Sequence, residues 1–168
     1  METGRVKRPV RNNNPLNLKV QNLKDPWLGM IELDEEGHAV FDSKTPVMGF
    51  RAGILNMINA AKRSPLTTVR DHIKYFAAGA SPESLKNYMD LLAQYGINAD
   101  TRMGFMDPVA LTKAMAVFES GRTTMPDDPL WEEAVNLLVE EGHLPIIKKE
   151  LGPKRQAMKE RKQVPGKF

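Results

Sequence analysis

Apolar residues recur at intervals of three and four along most of the chain, and they fall into five blocks. Phe50, Ile54, Met57, Ile58 and Ala61 form the first, Val69, Ile73 and Phe76 a shorter second. Leu85, Tyr88, Met89, Leu92 and Tyr95 form the third. Leu111, Ala114, Met115 and Phe118 make the fourth, and Leu130, Trp131, Ala134, Leu137 and Leu138 the fifth. Such spacing puts each set on one face of an α-helix. The punctuation agrees. Thr45-Pro46, Ser81-Pro82, Asp107-Pro108 and Asp128-Pro129 each set a capping oxygen before a proline at the first helical position. Gly96, Gly121 and Gly142 stop the third, fourth and fifth blocks. Residues 27–42 instead read as a β-hairpin: Met30, Ile31 and Leu33 climb, Glu35-Glu36-Gly37 turns, and Val40-Phe41 descend. The expected fold is mainly α, of the α+β kind, with about five helices and one small β-hairpin.

Composition adds limits. A chain of 168 residues, 41% hydrophobic and 27% charged, is long enough for one domain with a real core. The absence of cysteine excludes a disulfide framework, a thiolate metal site and a thiol nucleophile. His38, His72 and His143 share no metal-ligand spacing, and no Gly-rich phosphate loop is present, so neither metal nor cofactor is expected. The ten methionines read as pliable core filler. No apolar run approaches the ~20 residues of a membrane helix, and the basic N-terminus lacks the apolar stretch of a secretion signal.

The net charge of +3 hides a division. Residues 1–11 hold four basic and one acidic residue, and residues 148–168 hold eight and two, which leaves the body at −6. Residues 1–10 therefore read as a flexible basic arm, 11–147 as the folded domain, and 148–168 as a basic tail without core contacts of its own. An acidic body disfavours a folded surface that reads nucleic acid, although the tails could touch nucleic acid or a partner's acidic surface.

The segment Arg11-Asn12-Asn13-Asn14-Pro15-Leu16-Asn17-Leu18-Lys19 stands apart from all of this. Asparagines hydrogen-bond their own backbone and tolerate left-handed dihedrals, so they build specific loops. Either the loop is a shaped binding surface or it ties the chain down.

Together with Trp27-Leu28-Gly29, the acidic hairpin, Ala39-Val40-Phe41-Asp42-Ser43 and Gly49-Phe50-Arg51-Ala52-Gly53, this segment resembles a group of bacteriophage virion proteins labelled structural proteins or murein hydrolases. The same order of motifs resembles bacterial glucosaminidases of the lysozyme superfamily, over residues 11 to 142. Where the family has glycine after the proline, this chain has Leu16. The resemblance implies a lysozyme-like domain acting on the peptidoglycan glycan strand. It also implies a virion location after synthesis in the host cytoplasm, action at the bacterial cell wall, and contacts with other virion proteins through the basic tail.

Glu119 is the candidate acid. It follows Leu111 and Met115 at helical spacing, so it sits at the rim of an apolar face, and it lies in the last helical turn. Partial burial and the negative end of the helix dipole both disfavour an ionised carboxylate there. A carboxyl that keeps its proton toward neutrality suits a general acid. Glu119-Ser120-Gly121 at a helix end also resembles the catalytic glutamate motif of lytic transglycosylases and glucosaminidases. In those families the motif precedes the Asn and hairpin region, whereas here it follows, which implies circular permutation. The resemblance further implies a hairpin carboxylate opposite the acid, Glu32 or Asp34, and substrate contacts from Asn13, Asn14, Asn17, Trp27 and Tyr88. The plain alternatives are an acidic turn kept soluble by charge, a self-knit loop and two core aromatics. Without a second carboxylate, a single-acid lytic transglycosylase is still open, because the sugar's own hydroxyl can be the nucleophile.

Overall fold

A computed structural model describes residues 7–20, 26–120 and 128–145. It is mainly helical, with a small two-stranded antiparallel sheet, as the hydrophobic pattern predicts. A one-turn helix α1 (Arg8–Arg11) precedes strands β1 (Met30–Leu33) and β2 (Ala39–Phe41). Helices α2 (Val47–Arg63), α3 (Val69–Phe76) and α4 (Pro82–Gln94) follow. A 3₁₀ turn (Met103–Phe105), α5 (Pro108–Glu119) and α6 (Asp128–Glu140) complete the order.

The five long helices begin and end largely where their signals place them. Ser81 accepts the Ser84 amide and Asp107 the Val109 amide, so both prolines do sit at the start of a capped helix. Thr45 does not cap α2. Asp42 draws the Lys44 and Thr45 amides into its own turn, and the helix opens one residue later, with Pro46 at the cap position. Thr68 caps α3 by accepting the Asp71 amide, a cap that carries no proline signal. Gly96 and Gly142 adopt φ of +77° and +80°, which lets the next amides turn back to the Leu92 and Leu138 carbonyls. Gly121 and the side chain of Asp128 lie outside the described residues.

Helix α2 is the centre of the fold. Val47, Phe50, Ile54, Leu55, Met57, Ile58 and Ala60 are all buried, a distribution too wide for a one-faced surface helix. Its neighbours are α6, α5 and β2. Phe50 meets Trp131 of α6 edge-on, with ring centroids 4.7 Å apart. The buried Arg51 clamps Glu141 with two hydrogen bonds of 2.7 Å, and this pairing holds the Glu141 carboxyl below its usual range. Met57, Met103 and Met115 fill the core.

Residues 7–10, expected within a flexible arm, are packed on the domain instead. Pro9 is buried in α1, and Arg8 reaches Asp34 at 3.2 Å and Glu36 at 2.9 Å. Residues 1–6 and the basic tail from 148 onward lie outside the described residues. Among the described residues no helix is long and apolar enough to cross a membrane.

Candidate functional site

The Asn-rich loop is knitted to the hairpin. Asn14 is fully buried, donates to the Leu18 and Ala39 carbonyls at 3.0 and 2.9 Å, and accepts the Leu18 amide at 2.9 Å. Asn12 donates to the Asp34 carboxylate and Asn13 to the Phe41 carbonyl. Asn13 and Asn17 take φ of +51° and +54°, the left-handed region that asparagine tolerates best after glycine. Leu16 is a fully buried core plug facing Gly53 of α2. The expectation that Asn14 touches a substrate is therefore corrected, because its amide is spent inside the chain and no ligand can reach it. Asn13 and Asn17 keep partial exposure, and the buried Asn17 Oδ1 has no partner among the described residues.

The energetic consequence is testable. Replacing Asn14 by alanine leaves a buried amide and two carbonyls without partners, a loss of about 3 kcal/mol. Urea unfolding of Asn14→Ala should show a midpoint well below that of the wild type with an unchanged slope.

Asp34 is also committed to structure. Burial pushes its carboxyl up, but the His38 and Glu36 amides, the Asn12 side chain and the His38 ring pull it down further, and the net result is a carboxylate far below the ordinary range. With Arg8 also at 3.2 Å, Asp34 serves as the hub joining α1, the Asn loop and the hairpin turn. It lies just past β1 rather than beside Glu32 on a strand face, and an irregularity between Met30 and Glu32 already breaks the strict alternation. The assignment of Asp34 as a second catalytic carboxylate is corrected on these grounds. Glu32 is exposed and shares an open cavity of about 540 Å³ with Arg8, Arg11, Asp34, Glu35 and Glu36. Glu119, Trp27 and Tyr88 do not line that cavity.

Glu119 stands elsewhere, at the last turn of α5. Phe118 beside it stacks on Tyr88 of α4, with ring centroids 3.8 Å apart and planes tilted by 20°. Burial pushes the Glu119 carboxyl from 4.5 up to about 7, and the Tyr88 hydroxyl opposes the rise by favouring the anion. Burial and the same carboxylate push the Tyr88 phenol well above its usual value. Their approach is electrostatic contact short of good hydrogen-bond geometry, since the buried Tyr88 hydroxyl has no hydrogen-bond partner among the described residues. Ser120, fully buried, donates to the Val117 carbonyl at 3.0 Å and finishes the helix. The result is a half-buried acid beside the Tyr88 phenol.

Trp27 is partly buried against the core and accepts the Met30 amide with its carbonyl. Tyr88 is a core residue by burial, with its polar end turned to Glu119. The structure thus brings Glu119 and Tyr88 together, and separately Asn12, Asn13, Asn14 and Asp34. Sequence reasoning missed the Arg51–Glu141 clamp, the buried His38 and the close approach at Gly49. Only the Gly49-Phe50-Arg51-Ala52-Gly53 string, a pair of glycines and an arginine inside an apolar helix, signalled any of them. Among the described residues no group of three His, Asp or Glu side chains is placed to hold a metal ion. Compared with known proteins, the chain matches no protein-family model and no curated protein sequence.

Proposed function

We propose that the protein is a phage virion-associated peptidoglycan hydrolase that cleaves the murein glycan strand with Glu119 as general acid. The observation that carries this reading is a half-buried helix-end glutamate held protonated to about pH 7 beside the Tyr88 hydroxyl. The lysozyme-like character of the fold and the family resemblance belong to the same proposal. Asp34 is held ionised by the hairpin, and Glu32 lines a cavity that Glu119 does not share, which favours single-acid chemistry over a pair of carboxylates. In that chemistry Glu119 gives its proton to the glycosidic oxygen as the bond to the anomeric carbon breaks. A hydroxyl of the same sugar closes onto that carbon and returns its proton to Glu119, so no water is consumed. The product is a cyclised sugar end in place of a reducing end.

Purified murein digested by the protein and resolved by mass should yield fragments with cyclised ends. Cleavage should fall about tenfold per pH unit above pH 7 as Glu119 ionises. Glu119→Gln should abolish cleavage while the circular dichroism spectrum is retained. Equal cleavage by the variant removes Glu119 from the role. The second reading, a non-catalytic virion structural or DNA-ejection protein, is favoured by the internal use of Asn14 and the commitment of Asp34 to structural partners. It takes over if the wild type releases nothing from any murein tested.

A further inference from the structure

A second cavity, of mixed polar and apolar lining, does not include Glu119 or Tyr88. It has a volume of about 310 Å³ and is lined by Ala60, Arg63 and Ser64 at the end of α2, Thr67 of the connecting loop, Asp71, His72 and Tyr75 of α3, and Met103. Beside it the 65–67 loop is tied to the 3₁₀ turn, Met103 donating to the Thr67 carbonyl at 2.8 Å and Gly104 to the Pro65 carbonyl at 2.9 Å. Leu66 and Phe105 are chain neighbours of the residues so paired. Tyr75, Phe105 and Leu66 are 83%, 82% and 70% exposed, the three most exposed large apolar side chains among the described residues. Single exposed apolar residues are ordinary, but Tyr75 lines the cavity itself, which sets a flat exposed ring beside its polar groups.

The chemistry of the lining narrows the ligand. Burial and the Arg63 charge lower the His72 pKa, so the ring is neutral at neutral pH. Arg63 and Asp71 then balance in formal charge, which leaves nothing to attract a polyanion, and the Asp71 carboxylate repels phosphate. The same carboxylate can accept two neighbouring hydroxyls, Ser64 and Thr67 offer hydroxyls that both donate and accept, and Tyr75 offers a flat apolar face. Flat apolar faces edged by paired hydroxyls are the chemistry of a pyranose ring. We infer that the cavity between the end of α2 and α3 is a non-catalytic saccharide-binding site, with Tyr75 as its stacking platform and Asp71 as its hydroxyl acceptor. The choice of saccharide among polyhydroxyl ligands rests on the glycan reading above.

The test titrates a soluble trimer of N-acetylglucosamine into the full chain and follows amide shifts by NMR. Saturable shifts at 63–75 and 103–105 are expected. Tyr75→Ala, at a site too exposed to disturb the core, should weaken binding about tenfold. Asp71→Asn should weaken it as well, whereas Glu119→Gln should leave these shifts in place. Absence of shifts at these residues at millimolar trimer, or equal binding by Tyr75→Ala, overturns the site. Saturable shifts there with an oligonucleotide but not with the trimer overturn its saccharide identity. Murein cleavage is a separate measurement. Loss of cleavage in Glu119→Gln with unaltered binding by Tyr75→Ala removes only this site, and trimer binding by a wild type that never cleaves removes only the hydrolase.

Discussion

Gly49→Ala should displace the Asn-rich loop and lower the stability of the fold sharply, whereas Gly53→Ala, one turn along the same helix, should be close to neutral. The contrast comes from what each added methyl would meet. At Gly49 it would overlap the backbone carbonyl of Asn13, which no rotamer change can move aside. At Gly53 the nearest atoms are side-chain carbons of Leu16 and Thr112 at 3.4 Å, an ordinary contact. Relief at Gly49 requires either α2 or the Asn loop to shift. Helix α2 is packed by α5 and α6, so the loop is the part that gives. Moving Asn13 strains its left-handed turn and the neighbouring Asn14, whose three hydrogen bonds hold Leu18 and Ala39. Overpacking of ~1–3 kcal/mol plus partial loss of those bonds gives roughly 3–5 kcal/mol, a large share of the stability of a small domain. For Gly53 the higher helix propensity of alanine offsets the slight crowding. Urea denaturation of both variants decides the matter. Equal midpoints for Gly49→Ala and the wild type would show that the loop does not depend on this contact.

That contact also marks where sequence reasoning runs out. Helical period and caps are local signals, so Ile54, Leu92, Leu111 and Leu138 were legible as core and the ends of α4 and α5 were legible from Ser81 and Asp107. Local signals say which face of a helix is apolar but not which helices face each other. They could not pair Arg51 with Glu141, 90 residues away, or show that α2 is central rather than peripheral. The Asn cluster was legible as a built loop, but the direction of its side chains was not. Asn14 turns inward because the Leu18 and Ala39 backbones need it, and that need exists only once the hairpin is paired. Asp34 failed as an acid for the same reason: its four partner residues, Arg8, Asn12, Glu36 and His38, come from α1, the Asn-rich loop and the hairpin turn together. The raised pKa of Glu119 was legible because the apolar face that buries it, Leu111 and Met115, belongs to its own helix and shows in the local period. The Asp71 and Tyr75 cavity left no trace, since its residues come from the end of α2, from α3 and from Met103, which no single period links.

Glu119→Gln should make the folded protein more stable at alkaline pH and leave it nearly unchanged in acid. A carboxyl at about 7 in the folded chain and about 4.5 in the unfolded one means that the native state binds the proton more tightly. The stabilisation from holding that proton is complete below about pH 4.5 and is lost as pH rises through about 7. Above that, the half-buried carboxylate must be ionised in the native state at a cost of roughly 3 kcal/mol at most, reduced by its partial exposure to water. Glutamine keeps the shape and never ionises, so the cost disappears. For a chain of this size the gain at pH 8.5 corresponds to a Tm increase on the order of 5 °C, with no significant difference at pH 4. A carboxyl kept for its chemistry at the expense of stability is the pattern expected of a working acid, since a purely structural position would be better served by glutamine. Thermal melts of both proteins across pH 4 to 8.5 measure this without any substrate. If the two curves run parallel over the whole range, Glu119 titrates like an exposed glutamate and the general-acid proposal loses its physical basis.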